Sequence, residues 1–137
     1  MKQRALGGSA SHIKVGEIGY GLMGTLLLGK TNLGFTIAGR SIPDEKCFEA
    51  MKAAIDSGAT FWNAGVFYGR GPNGELTNIQ LIARFFANYP ELADKVFLCV
   101  KGGIQPDFAV NTSEEYLRKD VDAVIEALDG KKRLDMF

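Results

Sequence analysis

The chain has one histidine and two cysteines, with no CxxC spacing. It therefore lacks a recognisable set of imidazole and thiolate ligands for a metal centre. Cys47 and Cys99 fall among apolar neighbours on an expected helix and an expected strand, so both read as packing residues. Neither sign of charge is in excess, with 16 basic and 16 acidic side chains, and no net field recruits nucleic acid or an anionic membrane. No stretch approaches the ~20 apolar residues of a membrane helix. Residues Met1 to Ala10 hold Lys2 and Arg4 but only Leu6 as a large apolar side chain after the initiator, so the apolar centre of a signal peptide is missing. A small-molecule partner and a reducing, cytoplasmic setting are the expectations.

What is present is an alternation of strand and helix patterns, the signature of a parallel sheet covered by helices. Val15 to Gly21 reads as a first strand. Thr25 to Arg40 is ambiguous: Leu26, Leu27 and Leu28 suit a helix, while Gly29, Asn32, Gly34 and Gly39 interrupt it. The spacing predicts a helix over Pro43 to Ser57, with Phe48, Met51, Ala54 and Ile55 on one face and Gly58 as its stop. Thr60, Phe61 and Trp62 open a second strand that runs into a Gly-rich segment, Asn63 to Gly74. A second helix spans Leu76 to Tyr89, with Ile79, Ile82, Phe86 and Tyr89 inward and Pro90 ending it. Val96 to Val100, nearly all apolar, reads as a strand covered on both faces and delivers Lys101 to its end. Thr112 and Glu115 form a capping-box pattern for a third helix, with Leu117, Val121, Val124 and Leu128 inward and Gly130 as its stop. Leu134 to Phe137 begins a fourth strand.

Two stretches compete for the chemistry. Gly19-Tyr20-Gly21-Leu22-Met23-Gly24 matches G-x-G-x-x-G after a strand, an arrangement that sets a pyrophosphate on helix N-terminal amides. Arg40-Ser41, after a possible strand Phe35 to Ala38, would then suit the 2′-phosphate of NADP. This stretch resembles the opening of the 6-phosphogluconate and 3-hydroxyisobutyrate dehydrogenases. The other site is assembled from strand ends. Trp62-Asn63-Ala64-Gly65-Val66-Phe67-Tyr68-Gly69 resembles the second-strand signature of the aldo-keto reductases, and Val100-Lys101-Gly102-Gly103 resembles the end of their third strand. Asn73 and Glu75, Gly21-Leu22-Met23, and Lys131 through Phe137 extend the likeness over Val15 to Phe137. Within that family the wording is closest to the fungal pyridoxal reductases. Separate motifs in the right order at successive strand ends outweigh one short glycine pattern, so the aldo-keto reading takes precedence.

The resemblance implies an α/β fold: the N-terminal half of a (β/α)8 TIM barrel, about four strand–helix units, in one incomplete domain over residues 1–137. It implies an NADPH-dependent oxidoreductase that reduces a small-molecule aldehyde, with pyridoxal to pyridoxine the specific expectation. Tyr68 stands in the position of the proton donor, Lys101 in that of its cationic partner, and Asn63 in that of the residue holding the lysine. Gly21, Leu22 and Met23 would line the nicotinamide end of the cofactor. A phenol is a better acid beside a cation that favours its anion. The wider family holds the lysine with aspartate, and Asn63 accepts a hydrogen bond without neutralising the charge. The family's histidine follows the fourth strand, past Phe137, and His12 is not its equivalent; His12 reads as an exposed residue of an N-terminal arm.

Plainer readings stand beside these. Tyr68 could be an aromatic plug, Lys101 a solvated charge and Asn63 a loop residue bonding backbone. Trp62 reads as core or pocket wall, and Arg40 and Lys131-Lys132-Arg133 as solvated. A closed barrel of this class has eight strand–helix units and ~250 residues, and family members hold the phosphates and adenosine of NADPH with segments after later strands. The chain is therefore expected to be part of something longer, to self-associate through exposed sheet edges, or to be a non-catalytic remnant serving as an interaction module.

Overall fold

The structure, a computed structural model, describes residues 1–23, 42–69 and 73–137. The expectations for Gly24 to Ser41, including the ambiguous Thr25 to Arg40 and the Phe35 to Ala38 strand, lie outside the described residues.

The run expected as one strand from Val15 to Gly21 is divided. Strand β1 (Gln3–Ala5) and strand β2 (Lys14–Gly16) form an antiparallel hairpin, with Arg4 opposite Val15. His12 lies exposed in its connection. Strand β3 (Tyr20–Gly21) then opens a separate, parallel sheet. The division follows from where backbone groups find partners: the Gly16 amide donates to Thr60 Oγ1 at 3.1 Å, whereas Leu22 N reaches across to Asn63 O at 2.9 Å.

Helix α1 (Asp44–Asp56) buries Cys47, Met51, Ala54 and Ile55 and places Asp44 and Glu45 in its first turn, where carboxylates favour the helix dipole. Strand β4 (Phe61–Gly65) follows, then helix α2 (Thr77–Asn88), strand β5 (Phe97–Lys101) and helix α3 (Glu114–Leu128). The order within the parallel sheet is β3-β4-β5. Residues 134–137 lie beyond β5: Met136 bridges Cys99 in parallel, and Val100 N donates to Met136 O at 3.0 Å. The fourth strand segment thus extends the sheet from the third strand in the same direction. A doubly wound dinucleotide fold would return its fourth strand to the first, whereas a barrel adds each strand beside its predecessor.

The sheet's two faces alternate as the pleat requires. Trp62, Ala64, Leu98 and Val100 are fully buried on the helix-covered face, where Trp62 meets Phe85 and Phe86 at ring separations of 5.6 Å. Burying side chains of this size stabilises by roughly 1.5–3 kcal/mol each, so this face is the main core. Helix α2 buries more than its expected stripe. Leu81, Ala83 and Phe85 join Ile79, Ile82 and Phe86, because α2 contacts β4 on one side and α3 on another.

Helix α3 begins one residue later than the Thr112 and Glu115 capping pattern predicts. Its N-cap is Ser113, whose hydroxyl accepts from Tyr116 N at 3.3 Å. Val124 and Leu128 are buried as expected, but Leu117 and Val121 are only half-buried, and Asp120 takes an inward position instead. The helix ends on Asp129 in the left-handed conformation, with Gly130 also at positive φ.

The reading of Lys131-Lys132-Arg133 as uniformly solvated is corrected at its centre. Lys132 is 7% exposed and its Nζ lies 2.6 Å from Asp135 Oδ2. That oxygen also accepts the Leu98 amide at 2.8 Å, so a side chain supplies the acceptor that the first residue of a neighbouring strand would otherwise provide. Burial pushes the Asp135 carboxyl up, but the Leu98 amide, Lys132 and Arg133 outweigh it and hold it below the usual carboxylate value.

Candidate active site

On the face of the sheet opposite the helices, residues of neighbouring strands stand in register. Phe61 pairs with Phe97, Asn63 with Cys99 and Gly65 with Lys101, while Gly21 pairs with Asn63 from the other side. In a parallel ladder such partners project to the same face. At one end Phe61 and Phe97 stack, with centroids 5.5 Å apart; at the C-terminal ends of the strands the row turns polar.

Tyr68 reaches that polar end through a tight turn. Its amide donates to Gly65 O at 3.0 Å, Val66 N is held by Lys101 O at 2.9 Å, and Gly69 N bonds Phe67 O at 3.1 Å. A Cβ on Gly65 would meet the Tyr68 ring at 3.4 Å, an ordinary contact distance, so the ring packs directly over the strand end. Gly69 adopts φ +84°, and a Cβ there would approach Thr77 Oγ1 to 2.5 Å; the turn closes only with glycine at this position.

The fold brings Asn63, Tyr68 and Lys101 together. Lys101 Nζ donates to both Asn63 Oδ1 and Tyr68 Oη, and also lies 4.5 Å from the Tyr68 ring centroid. Among the described residues no carboxylate forms an ion pair with Lys101. The ammonium is therefore held by two neutral oxygens, one of which carries a transferable proton. Tyr68 is 9% exposed, which removes competing water from most of the phenol.

Cys99, expected only to pack, is half-buried in this same row, with its sulfur 3.8 Å from Asn63 Nδ2. The signal for this placement was the strand period: Cys99 precedes Lys101 by two and must share its face. Downstream of the lysine, Asp120 Oδ2 accepts the Gly103 amide at 2.8 Å, tying the glycine pair to α3. A Cβ on Gly102 would come 2.7 Å from the same oxygen and 2.2 Å from the Phe137 ring.

The three residues expected to line a cofactor divide. Gly21 and Met23 are exposed, and among the described residues nothing lies within 4 Å of a Cβ built on Gly21. Leu22 is fully buried with its side chain in the core, so only its backbone belongs to the open face. Asn73 and Glu75 form a local turn, in which Asn73 Nδ2 donates to Glu75 Oε1 at 2.9 Å, and α2 begins at Thr77, one residue after the expected Leu76.

The sequence pattern of the aldo/keto reductase family matches residues 18–137. This chain belongs to the aldo/keto reductase family. The assignment decides against the dinucleotide-fold reading of Gly19 to Gly24 and Arg40-Ser41, in agreement with the sheet order. The chain is 41% identical over 125 residues to a protein of Schizosaccharomyces pombe named "Probable pyridoxal reductase 2", covering 90% of this chain and 34% of that one. It is 38% identical over 117 residues to an uncharacterized oxidoreductase of the same organism, covering 85% of this chain and 34% of the relative. The solved holo form of an aldo-keto reductase from Bacillus halodurans superposes with a TM-score of 0.65 at 19% identity, over 94% of this chain and 37% of that one. The chain thus spans about a third of the length of the curated relatives it matches, and its open sheet is part of the family's barrel. Among the described residues no helix is long and apolar enough to cross a membrane, and no group of three or more His, Cys, Asp or Glu side chains could hold a metal.

Proposed function

We propose that this aldo/keto reductase reduces an aldehyde with NADPH, pyridoxal to pyridoxine being the specific reaction, and that Tyr68 protonates the substrate oxygen. The observation that carries the reading is Lys101 Nζ bonded at once to Tyr68 Oη and Asn63 Oδ1. NADPH, when bound, supplies the hydride. Among the described residues no side chain crowds Gly21, which leaves room for a flat ring against the strand ends, with Met23 exposed beside it.

The chain's own residues account for the proton. An aldehyde oxygen beside Tyr68 Oη accepts its hydrogen bond, and as negative charge grows on that oxygen the phenol proton moves across. Lys101, bonded to Tyr68 Oη, sets its positive charge beside the oxygen that gives up the proton. Asn63 orients the ammonium without taking up its charge, so the whole of it acts on the phenol. The proton is restored to Tyr68 from solvent along Lys101.

The test is the loss of nicotinamide absorbance when the full-length protein is mixed with NADPH and pyridoxal. Tyr68→Phe keeps the ring and removes only the proton, and should lower kcat by about 10²–10⁴ while NADPH still binds. Undiminished turnover in that variant would remove Tyr68 from the mechanism. The 41% identity to the S. pombe protein supports pyridoxal as the first aldehyde to try.

A further inference from the structure

Helix α2 starts eight residues after Gly69, and its first two side chains reach away from their own helix to two different loops. Thr77 donates to Gly69 O twice, from its amide at 3.2 Å and from Oγ1 at 2.9 Å. That carbonyl closes the turn bearing Tyr68. Asn78 is 1% exposed, and its Nδ2 donates to Leu22 O at 3.1 Å. Leu22 N in turn donates to Asn63 O at 2.9 Å. The peptide groups of Leu22 are therefore stretched between the strand that carries Asn63 and the helix that follows Tyr68.

Asn78 is an awkward residue for packing alone. Its Oδ1 is buried with no hydrogen-bond donor among the described residues, and an orphaned buried oxygen costs stability that an apolar side chain of similar size would not. Its neighbours Ile79, Leu81 and Ile82 show that apolar side chains are accommodated all around it. What the amide supplies, and leucine would not, is a donor aimed at one carbonyl of the loop carrying Gly21 and Met23.

We infer that Asn78 is a positioning residue that fixes the Gly21 to Met23 loop relative to Tyr68 and Lys101, with Thr77 holding the phenol's side of the same clip. Adjacent residues in one helical turn cannot move independently. Hanging both loops on that turn sets the separation between the cofactor-facing backbone and the proton donor, a distance to which hydride transfer is steeply sensitive. The inference rests on the assignments of Tyr68 and of the first loop made above.

The experiment compares Asn78→Leu, Asn78→Ala and Thr77→Val in the full-length protein, with NADPH affinity read from nicotinamide fluorescence separately from turnover. Both Asn78 variants should weaken NADPH binding about tenfold and lower kcat/KM for the aldehyde by about 10², and Asn78→Leu should melt no lower than the parent. Thr77→Val should lower kcat several-fold at unchanged NADPH affinity. A merely structural helix start would not divide the two effects between neighbouring residues. Asn78→Leu and Asn78→Ala with parental NADPH affinity overturn the inference, as does a loss of affinity that follows thermal stability across the three variants. A parent protein that binds NADPH but reduces no aldehyde refutes the role of Tyr68, and the binding measurement still decides Asn78. A parent that fails to bind NADPH refutes both.

Discussion

Replacing Asp135, whose buried carboxylate accepts the Leu98 amide of β5, with asparagine should be among the costliest single changes among the described residues. The Asp135 and Lys132 side chains are 3% and 4% exposed and their charged atoms are 2.6 Å apart. Asparagine retains an oxygen for the Leu98 amide, so the variant removes the charge and little else. What it leaves is a buried ammonium without a counter-charge, a condition that costs about 3–5 kcal/mol. Arg133 contributes little, because its side chain is 82% exposed and already well solvated. An Asp135→Asn, Lys132→Met double variant removes both charges and should recover to within about 1–2 kcal/mol of the parent. Urea unfolding with linear extrapolation measures all three proteins. The acid limb supplies a second reading. The Asp135 carboxyl sits below its usual value, so the unfolded chain binds the proton more readily than the folded one. Its stabilisation is complete above the unfolded value of about 4 and is lost as pH falls through the folded value. Asp135→Asn should therefore flatten the decline in stability below about pH 4. A single variant costing under about 1 kcal/mol, or a double variant no better than the single, would refute the argument, since both contradict an uncompensated buried charge.

Three further outcomes follow from the same geometry. Asn63→Asp places a carboxylate against Lys101 and should change the pH–rate profile without abolishing reduction; an unaltered profile counts against the Asn63–Lys101 contact. Gly102→Ala drives a methyl into Asp120 and Phe137 and should lower stability by about 1–3 kcal/mol, read as a drop in Tm, with a loss of activity if Lys101 shifts with it. Asp44→Ala breaks the bond to Arg84 between α1 and α2, whose Nε–Oδ2 distance is 2.5 Å, but the side chains are 37% and 50% exposed, so the cost should stay near or below about 1 kcal/mol; a larger loss in a urea titration would show that exposure is a poor guide here.

The strand–helix order and the three helices to within one or two residues could be argued from local pattern, and the meeting of Asn63, Tyr68 and Lys101 from the resemblance of their motifs to those of the aldo-keto reductases. Period 3.6 marks α1 and α2, an apolar run marks β5, and the motifs at strand ends fall together once strands are parallel and adjacent. Tertiary structure decided the rest, wherever the partner lies far along the chain. Val15 to Gly21 was split because Gly16 found Thr60 and Leu22 found Asn63. Lys132 was buried because Asp135 and Leu98 converge on it, and Cys99 came to lie against Asn63 through strand register. Asn78 shows the limit most clearly: read along the chain it is one polar residue at a helix start, and its reach to Leu22, 56 positions earlier, exists only after β3 and α2 have packed on the same strand. Periodicity records which face of an element is apolar; which distant carbonyl a single side chain meets is set by packing alone.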